Sequence, residues 1–280
     1  MSRSAAILPK LVCNDGKAKL LPAVHPNVGI QMSYQRRLDR LLERMNRSIN
    51  YWLAAQYWAN PPELAMDASS AADFIRTLGE LGTRWMKRFN QAAEEMAKWF
   101  AQDAFKRSDA AMAKILKDAG WTVKFKPTRI VNDALQATIG AQVGLIKSIG
   151  QQHLSDVQGI VMRSVQMGGD LGTLTDELQK RYALTRKRAA LIARDQNNKA
   201  NATITRVRQQ ELGIERAVWV HSGGGKEPRP KHLAFANGQL GGPIYEINKG
   251  AMIGDDGGYT WPRYEINCRC ISRSIIPGLA

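Results

Sequence analysis

The sequence near the C-terminus reads Trp219-Val-His-Ser222, then Pro228-Arg-Pro-Lys-His-Leu-Ala-Phe-Ala-Asn-Gly238, and later Asn267-Cys-Arg-Cys270. These stretches bring together a Pro-Arg-Pro corner, a histidine and two cysteines that are one residue apart. Because proline fixes φ and removes a backbone donor, this part of the chain predicts turns and short elements. Upstream of it, apolar residues recur mainly at helical spacing.

The whole pattern predicts a mainly α fold, in which a long-helix N-terminal region precedes a small α+β, loop-rich C-terminal domain. Residues 1–30 contain three prolines and are expected to form an extended N-terminal arm. Residues 31–127 are expected to form a helical region. Residues 128–280 are expected to form one domain, with helices over 128–212 and a β/loop module over 213–280.

Turn and cap residues divide the predicted elements further. Glycines and threonines predict separate helices over 129–149, 151–167, 173–182 and 185–210, the last of them closed by Gly213. The final strand is predicted over Tyr264–Ile276, and this range includes both cysteines of the Asn-Cys-Arg-Cys stretch.

The two cysteines, Cys268 and Cys270, are candidate metal ligands. Their spacing is poor for a disulfide bond. If the backbone bends there, both sulfurs can converge on one point, and His232 or His221 can add a nitrogen ligand for zinc. The alternative from the sequence is that both cysteines are small buried residues, with His232 hydrogen-bonded under the loop.

The order of several short motifs resembles the phage Mu F-like head morphogenesis family. The motifs are Ala193-Arg-Asp-Gln196, Trp219, Arg229-x-x-His232, Asn237-Gly238 and Asn267-Cys-Arg-Cys270, closing on Pro277. They cover the C-terminal part of the chain, and residues 1–130 carry no motif of that family. The resemblance implies structural roles for Arg194, Asp195, Trp219, Arg229, His232, Gly238, Asn267, Cys268 and Cys270.

Proteins of that family are minor head components of tailed bacteriophages, so the resemblance also implies a location and partners. The expected location is the head interior of the virion, after synthesis in the cytoplasm of the bacterial host. The expected partners are the portal protein, the major capsid or scaffold protein, and packaged double-stranded DNA. The resemblance implies no established chemistry and no required cofactor.

Charge and composition fit these expectations. The chain has 40 Lys and Arg against 25 Asp and Glu, for a formal net charge of +15, which favours a polyanionic neighbour. A hydrophobic fraction of 44% excludes wholesale disorder. Three cysteines without a regular framework fit a reducing compartment. No stretch approaches the length of a membrane span, so no membrane partner is expected.

The positive charge is concentrated in one segment, residues 180–216. Ten basic residues and three acidic residues lie between Lys180 and Arg216. The alternative to DNA binding is that these side chains only solvate a helix. The candidates for nucleic-acid contact are Arg181, Arg186, Lys187, Arg188, Arg206 and Arg208. Arg194 and Asp195 lie in the apolar centre of this helix and are predicted to be a partly buried pair that orients the downstream loop.

Three functions remain at this point. The first is a non-enzymatic minor head protein, because the sequence shows no recognisable group of nucleophile, base and orienting residue. The second is a zinc-dependent nucleic-acid-processing enzyme, in which His232, Cys268 and Cys270 hold the metal. The third is a plain DNA-binding protein whose contacts are wholly electrostatic, since no base-reading motif appears.

Overall fold

The structure is a computed structural model that describes residues 17–59, 68–167, 171–223 and 227–277. Within these ranges it has five helices and one small antiparallel sheet near the C-terminus, so the predicted mainly α class is confirmed. None of the described helices combines the length and the apolar character that crossing a bilayer would need. Residues 1–16, which hold most of the predicted arm, lie outside the described ranges.

Four long helices make up most of the chain, and a short fifth helix follows them. Their bounds are α1 Val28–Ala59, α2 Ala68–Asp118, α3 Arg129–Gln166, α4 Leu171–Glu211 and α5 Pro230–Ala236. The side chain of Asn27 caps α1 by accepting a hydrogen bond from Ile30 N at 3.1 Å. At the end of α4, Gly213 has φ 70° and donates to Gln210 O at 3.0 Å, which confirms the predicted glycine stop.

Two predicted helix breaks are wrong. The structure joins 129–149 and 151–167 into the single helix α3, and it joins 173–182 and 185–210 into α4. Thr185 does not cap a helix. Its Oγ1 donates to Arg181 O one turn earlier, at 3.1 Å, and lies 2.9 Å from His153 Nδ1, so the threonine is satisfied inside the helix.

The chain forms two compact units, each built from segments that are distant in sequence. Of the described residues, unit 1 contains those up to Gln31, Phe100–Thr138 and those from Arg194 onward, and unit 2 contains those of Met32–Trp99 and Ile139–Ala193. The predicted boundaries, 1–30, 31–127 and 128–280, follow sequence order and cut across both units. Whether residues 128–280 fold as one domain remains a prediction.

Unit 2 is an all-helical assembly of α1, the first part of α2, most of α3 and the first part of α4. Its interior contains Tyr34, whose hydroxyl donates to Gln142 Oε1 at 3.0 Å. Burial raises the pKa of Tyr34 well above its usual value, so the phenol stays protonated and remains a donor. Phe74, Trp85 and Phe89 are also buried in this unit.

A close approach inside unit 2 explains one of the helical glycines. A Cβ on Gly150 would lie 2.8–2.9 Å from ring atoms of the buried Phe89, whereas one on Gly144 would meet nothing within 4 Å. We expect Gly150→Ala to lower the free energy of unfolding by about 1–3 kcal/mol, because the ring has to move. The matched control Gly144→Ala lies on an exposed face of the same helix and should gain up to about 1 kcal/mol from helix propensity. Urea denaturation measures both, and equal effects of the two substitutions would contradict the close approach.

Unit 1 contains the sheet. Its strands are β1 Lys19–Leu20, β2 Arg216–Val220, β3 Ile244–Glu246 and β4 Ile271–Ile276, arranged in the order β1-β4-β2-β3 with antiparallel pairing. The sequence predicts a final strand from Tyr264, but β4 starts only at Ile271. Asn267 has φ 59° and Arg263 has φ 69°, so the backbone before β4 bends and cannot pair as a regular strand.

The core of unit 1 lies around the sheet and α5. It is centred on Trp219 and includes Phe235 from α5 and Tyr245 from β3. Met112 and Leu116 from the end of α2 pack into the same cluster. The core therefore fixes the position of α5, which carries His232, against β2.

Candidate functional site

The short helix α5 is placed by its first residues. Pro230 occupies the first turn of the helix, and Arg229 precedes it with extended backbone angles, φ −63° and ψ 122°. The Arg229 side chain donates from Nε to both carboxylate oxygens of Asp255, at 2.8 and 3.0 Å, and from NH2 to Ile266 O at 2.9 Å. The hydrogen bond from Arg229 lowers the pKa of Asp255. Arg229 therefore connects the start of α5 to two later loops.

The end of α5 and the loop at 255–258 also have defined geometry. Gly238 has φ 85° and donates to Phe235 O at 3.1 Å, so it terminates the helix as the Asn-Gly pair predicts. Asp256 Oδ1 accepts from Gly258 N at 2.8 Å, which closes a turn.

Trp219 is the buried centre of this region. Its side chain is 0% exposed and packs edge-to-face against three rings. The ring centroids lie 5.0 Å away for His232, 5.8 Å for Phe235 and 5.9 Å for Tyr245. This geometry is the preferred one for aromatic pairs, and it holds the imidazole of His232 in place.

The structure brings His232, Cys268 and Cys270 together. Nδ1 of His232 lies 3.6 Å from Cys268 Sγ and 3.8 Å from Cys270 Sγ, and all three ligand atoms lie within 4.8 Å of one another. All three residues are buried, with 2–3% of their surface exposed. His221, the other candidate nitrogen ligand, instead accepts a hydrogen bond from Gly223 N through Nδ1.

The two sulfurs converge because both cysteines precede β4 in the bend described above. Cys268 N donates to Glu265 O at 3.0 Å, and Arg263 N donates to Cys268 Sγ at 3.4 Å. These bonds turn the chain so that residues 268 and 270 face the same point. The prediction that a bend brings the two sulfurs together agrees with this geometry.

The two thiols of this cluster have opposite pKa shifts. The hydrogen bond from Cys270 lowers the pKa of Cys268 to about 4, helped by His232 and by the backbone N–H groups of Cys270 and Arg263, although burial opposes it. The same hydrogen bond, together with burial, raises the pKa of Cys270. The pair can therefore hold one negative charge without a metal, while the second thiol keeps its proton.

Arg194 and Asp195 do contact the downstream loop, but not as a pair with each other. Asp195 Oδ1 accepts from Asn267 N at 2.7 Å, and its Oδ2 lies 3.1 Å from Lys199 Nζ. Arg194 NH2 donates to Asn267 Oδ1 at 3.3 Å. Both side chains thus bind Asn267, which has positive φ and directly precedes Cys268.

Arg263 is a buried residue of this region that the sequence did not single out. Its NH1 group donates to Val24 O at 3.2 Å and to Asn201 Oδ1, and only 6% of the residue is exposed. Burial lowers its pKa to about 10, and the nearby thiols oppose that shift. The sequence around Arg263 is a Gly-rich and Pro-rich loop. It has no periodic pattern that would predict whether this side chain is buried or exposed.

The six candidates for nucleic-acid contact differ in their exposure. Arg186 and Lys187 are exposed, although Arg186 lies 3.4 Å from Asp39 in an ion pair. Arg181 pairs with Asp156, and Arg188 donates to Ser148 Oγ at 3.2 Å. Arg206 is half-buried with its guanidinium 4.4 Å from the centre of the Trp261 ring.

Arg208 is removed from the candidates for nucleic-acid contact, because its guanidinium is enclosed by protein groups. Its side chain is 3% exposed. It donates to both carboxylate oxygens of Asp109 at 2.9 and 2.7 Å, to Glu211 at 2.7 Å and to Lys126 O at 2.8 Å. Such a side chain cannot reach a DNA phosphate without breaking these bonds.

Comparison with known proteins bears on the motif resemblance. A sequence model of the family described as Phage Mu protein F like protein matches residues 155–273. The resemblance to this family is confirmed. We call residues 155–273 the Mu F-like segment. The bent loop, both cysteines, His232 and Trp219 all lie inside it, and the family is one of phage head morphogenesis proteins.

One relative extends beyond the Mu F-like segment. The chain is 22% identical over 280 residues to a protein of Haemophilus influenzae described as "Uncharacterized protein". The alignment covers 96% of this chain and 58% of that protein, so the chain spans little more than half of the relative's length. No solved structure matches the chain.

Proposed function

We propose that the protein is a minor head protein of a tailed bacteriophage, which takes part in head morphogenesis near the portal and contacts packaged DNA. The observation that carries this proposal is the Mu F-like segment, residues 155–273. Within this proposal the partners are the portal protein, the major capsid or scaffold protein, and double-stranded DNA. The protein is located in the head interior of the virion.

The contacts of the family-motif residues support a structural role. Trp219 packs at the centre of a buried cluster, while Arg194 and Asp195 hold the loop at Asn267. Arg229 joins α5 to the loops at Asp255 and Ile266. These side chains therefore stabilise the fold of the C-terminal part of the chain. A protein that binds other head components needs such a fixed surface.

The burial of the candidate metal ligands favours this function over a zinc-dependent nucleic-acid-processing enzyme. A catalytic zinc keeps a coordination position open to substrate. His232, Cys268 and Cys270 are at most 3% exposed, so a nucleic-acid strand has no access to their ligand atoms.

Exposed positive charge supports the DNA contact. The chain carries a formal net charge of +15, and in α4 the neighbouring residues Arg186 and Lys187 are exposed. Each phosphate contact that is lost should lower the salt dependence of binding, because fewer counterions are released. We therefore expect the double variant Arg186→Ala, Lys187→Ala to flatten the slope of log Kobs against log salt by about 2.

Fluorescence anisotropy with a duplex oligonucleotide measures this slope. The matched control is Lys231→Ala, Lys249→Ala, which removes the same charge from exposed positions outside α4 and should keep the slope. If both double variants keep the slope of the parent chain, α4 is not the DNA surface. Equal loss in both would instead indicate a diffuse attraction that depends on net charge.

A nonsense mutation tests the head function directly. It is placed upstream of residue 155 in the gene of the encoding phage, so that the Mu F-like segment is not made. We expect synthesis of the major capsid protein to continue while the yield of infectious particles falls at least tenfold, and the full chain supplied in trans should restore it. An unchanged yield would overturn the proposed function.

A further inference from the structure

We propose that His232, Cys268 and Cys270 bind one Zn²⁺ ion as a structural site, with Nδ1 of the histidine and the two Sγ atoms as donors. This inference goes beyond the proposed head function and does not depend on it. It rests on the distances, burial and backbone geometry of the described cluster.

The spacing of the three donors fits zinc. With Zn–S bonds of about 2.3 Å and a Zn–N bond of about 2.0–2.1 Å, tetrahedral angles place sulfur and nitrogen about 3.6 Å apart. The two observed separations are 3.6 and 3.8 Å. Both sulfurs therefore already lie at the distance from Nδ1 that a shared ion requires.

Hydrogen bonds between the two thiols and to His232 can hold this cluster without a metal, but they do not use Nδ1 for both sulfurs. Nδ1 of an imidazole offers either one lone pair or one N–H, so it can form a good hydrogen bond with one sulfur at a time. Here two buried sulfurs approach the same nitrogen. A thiophilic ion bound between the three atoms bonds to each of them, so the two sulfurs no longer compete for Nδ1.

The surrounding protein prepares both sulfurs for this role. The backbone N–H of Arg263 donates to Cys268 Sγ at 3.4 Å, an outer contact of the kind that orients metal-bound thiolates. Asn267, held by Arg194 and Asp195, sets the bend that directs both side chains to one side. The family-motif residues outside the ligand set thus act as positioning residues for it.

Burial assigns the site a structural role. The described residues supply three donors and bring no further His, Cys or carboxylate into the group. The fourth coordination position would be filled by a donor from outside this group. Because His232 lies on α5 and the cysteines lie 36 and 38 residues later, the ion links two segments of a loop-rich region. Metal binding there adds to folding stability.

Metal analysis of the full chain, purified and kept under reducing conditions, tests this proposal. We expect about one zinc per chain, and a loss of at least tenfold in bound zinc for Cys268→Ser and for Cys270→Ser. His25→Ala is the matched control, an exposed imidazole outside the cluster, and it should retain the ion. Equal zinc loss in the His25 control and the cluster variants would overturn the assignment.

A second measurement on the unaltered chain keeps the test independent of how the variants fold. Replacing zinc with Co²⁺ should give the charge-transfer absorption of cobalt bound to thiolates, and a strong zinc chelator should abolish it and lower the melting temperature. A reduced chain that neither retains nor takes up zinc, or a cobalt spectrum without thiolate absorption, overturns the proposal. So does a Cys268–Cys270 disulfide that persists in reduced protein.

Discussion

Replacing Trp219 with alanine is expected to lower the free energy of unfolding by about 3–5 kcal/mol. The indole is fully buried and packs against three rings at centroid distances of 5.0–5.9 Å. Its removal leaves a cavity between β2, α5 and β3 that the surrounding helix and strands cannot easily close. The loss should also loosen His232, whose ring makes an edge-to-face contact with the indole.

Urea denaturation followed by far-ultraviolet circular dichroism measures this loss without relying on tryptophan fluorescence. The matched control is Trp58→Ala, because that indole is 77% exposed and its removal should change stability by less than about 0.5 kcal/mol. If both substitutions shift the midpoint equally, Trp219 is not the centre of the unit 1 core.

Replacing Arg208 with alanine should have a comparable effect, a loss of about 3–5 kcal/mol, for an electrostatic reason. Its guanidinium binds Asp109 through two hydrogen bonds and Glu211 through a third. Without the arginine, two carboxylates remain close together, and that of Glu211 is only 10% exposed. Breaking a buried ion pair from one side is costly because a charge is left without its partner.

The control for this prediction is an exposed ion pair. Lys114 and Asp118 are one helical turn apart, and their side chains are 75% and 61% exposed. Lys114→Ala should therefore cost no more than about 1 kcal/mol. DNA binding offers a second readout, because a folded Arg208 variant should keep the salt dependence of the parent chain. If the Arg208 variant keeps its stability but shows a large change in the salt dependence of DNA binding, Arg208 contacts DNA after all.

The sequence was most informative where a local rule determines the structure. Gly213 and Gly238 end helices because each adopts positive φ, and both stops were predictable from glycine placement alone. The apolar spacing likewise predicted long helices and hence the mainly α class. α3 and α4 were wrongly divided at glycines and threonines, because these residues also occur inside continuous helices.

Residues that depend on tertiary contacts were not predictable in the same way. Thr185 looked like a helix cap, but a bond to its own helix and the nearby His153 ring satisfy it in the middle of α4. Arg208 looked like the other basic residues of that helix. Its partner Asp109 lies 99 residues earlier, and no local pattern connects the two positions.

The candidate site was predictable in part. Two cysteines one residue apart and a histidine on a short helix suggested convergence, and the structure brings the three side chains together. The expected strand around the cysteines was wrong, because positive φ at Arg263 and Asn267 bends the chain there. Non-glycine residues in that conformation are uncommon, and the contacts that stabilise them come from distant segments.

The presence of the chain in assembled heads is the most direct test of the central claim, that the Mu F-like segment belongs to a minor head protein. Heads of the encoding phage are purified on a density gradient, washed in high salt to remove loosely bound protein, and analysed by quantitative mass spectrometry. We predict that the chain stays with DNA-filled heads in a constant ratio to the portal protein. Recovery of the chain only in fractions that lack heads would contradict the account.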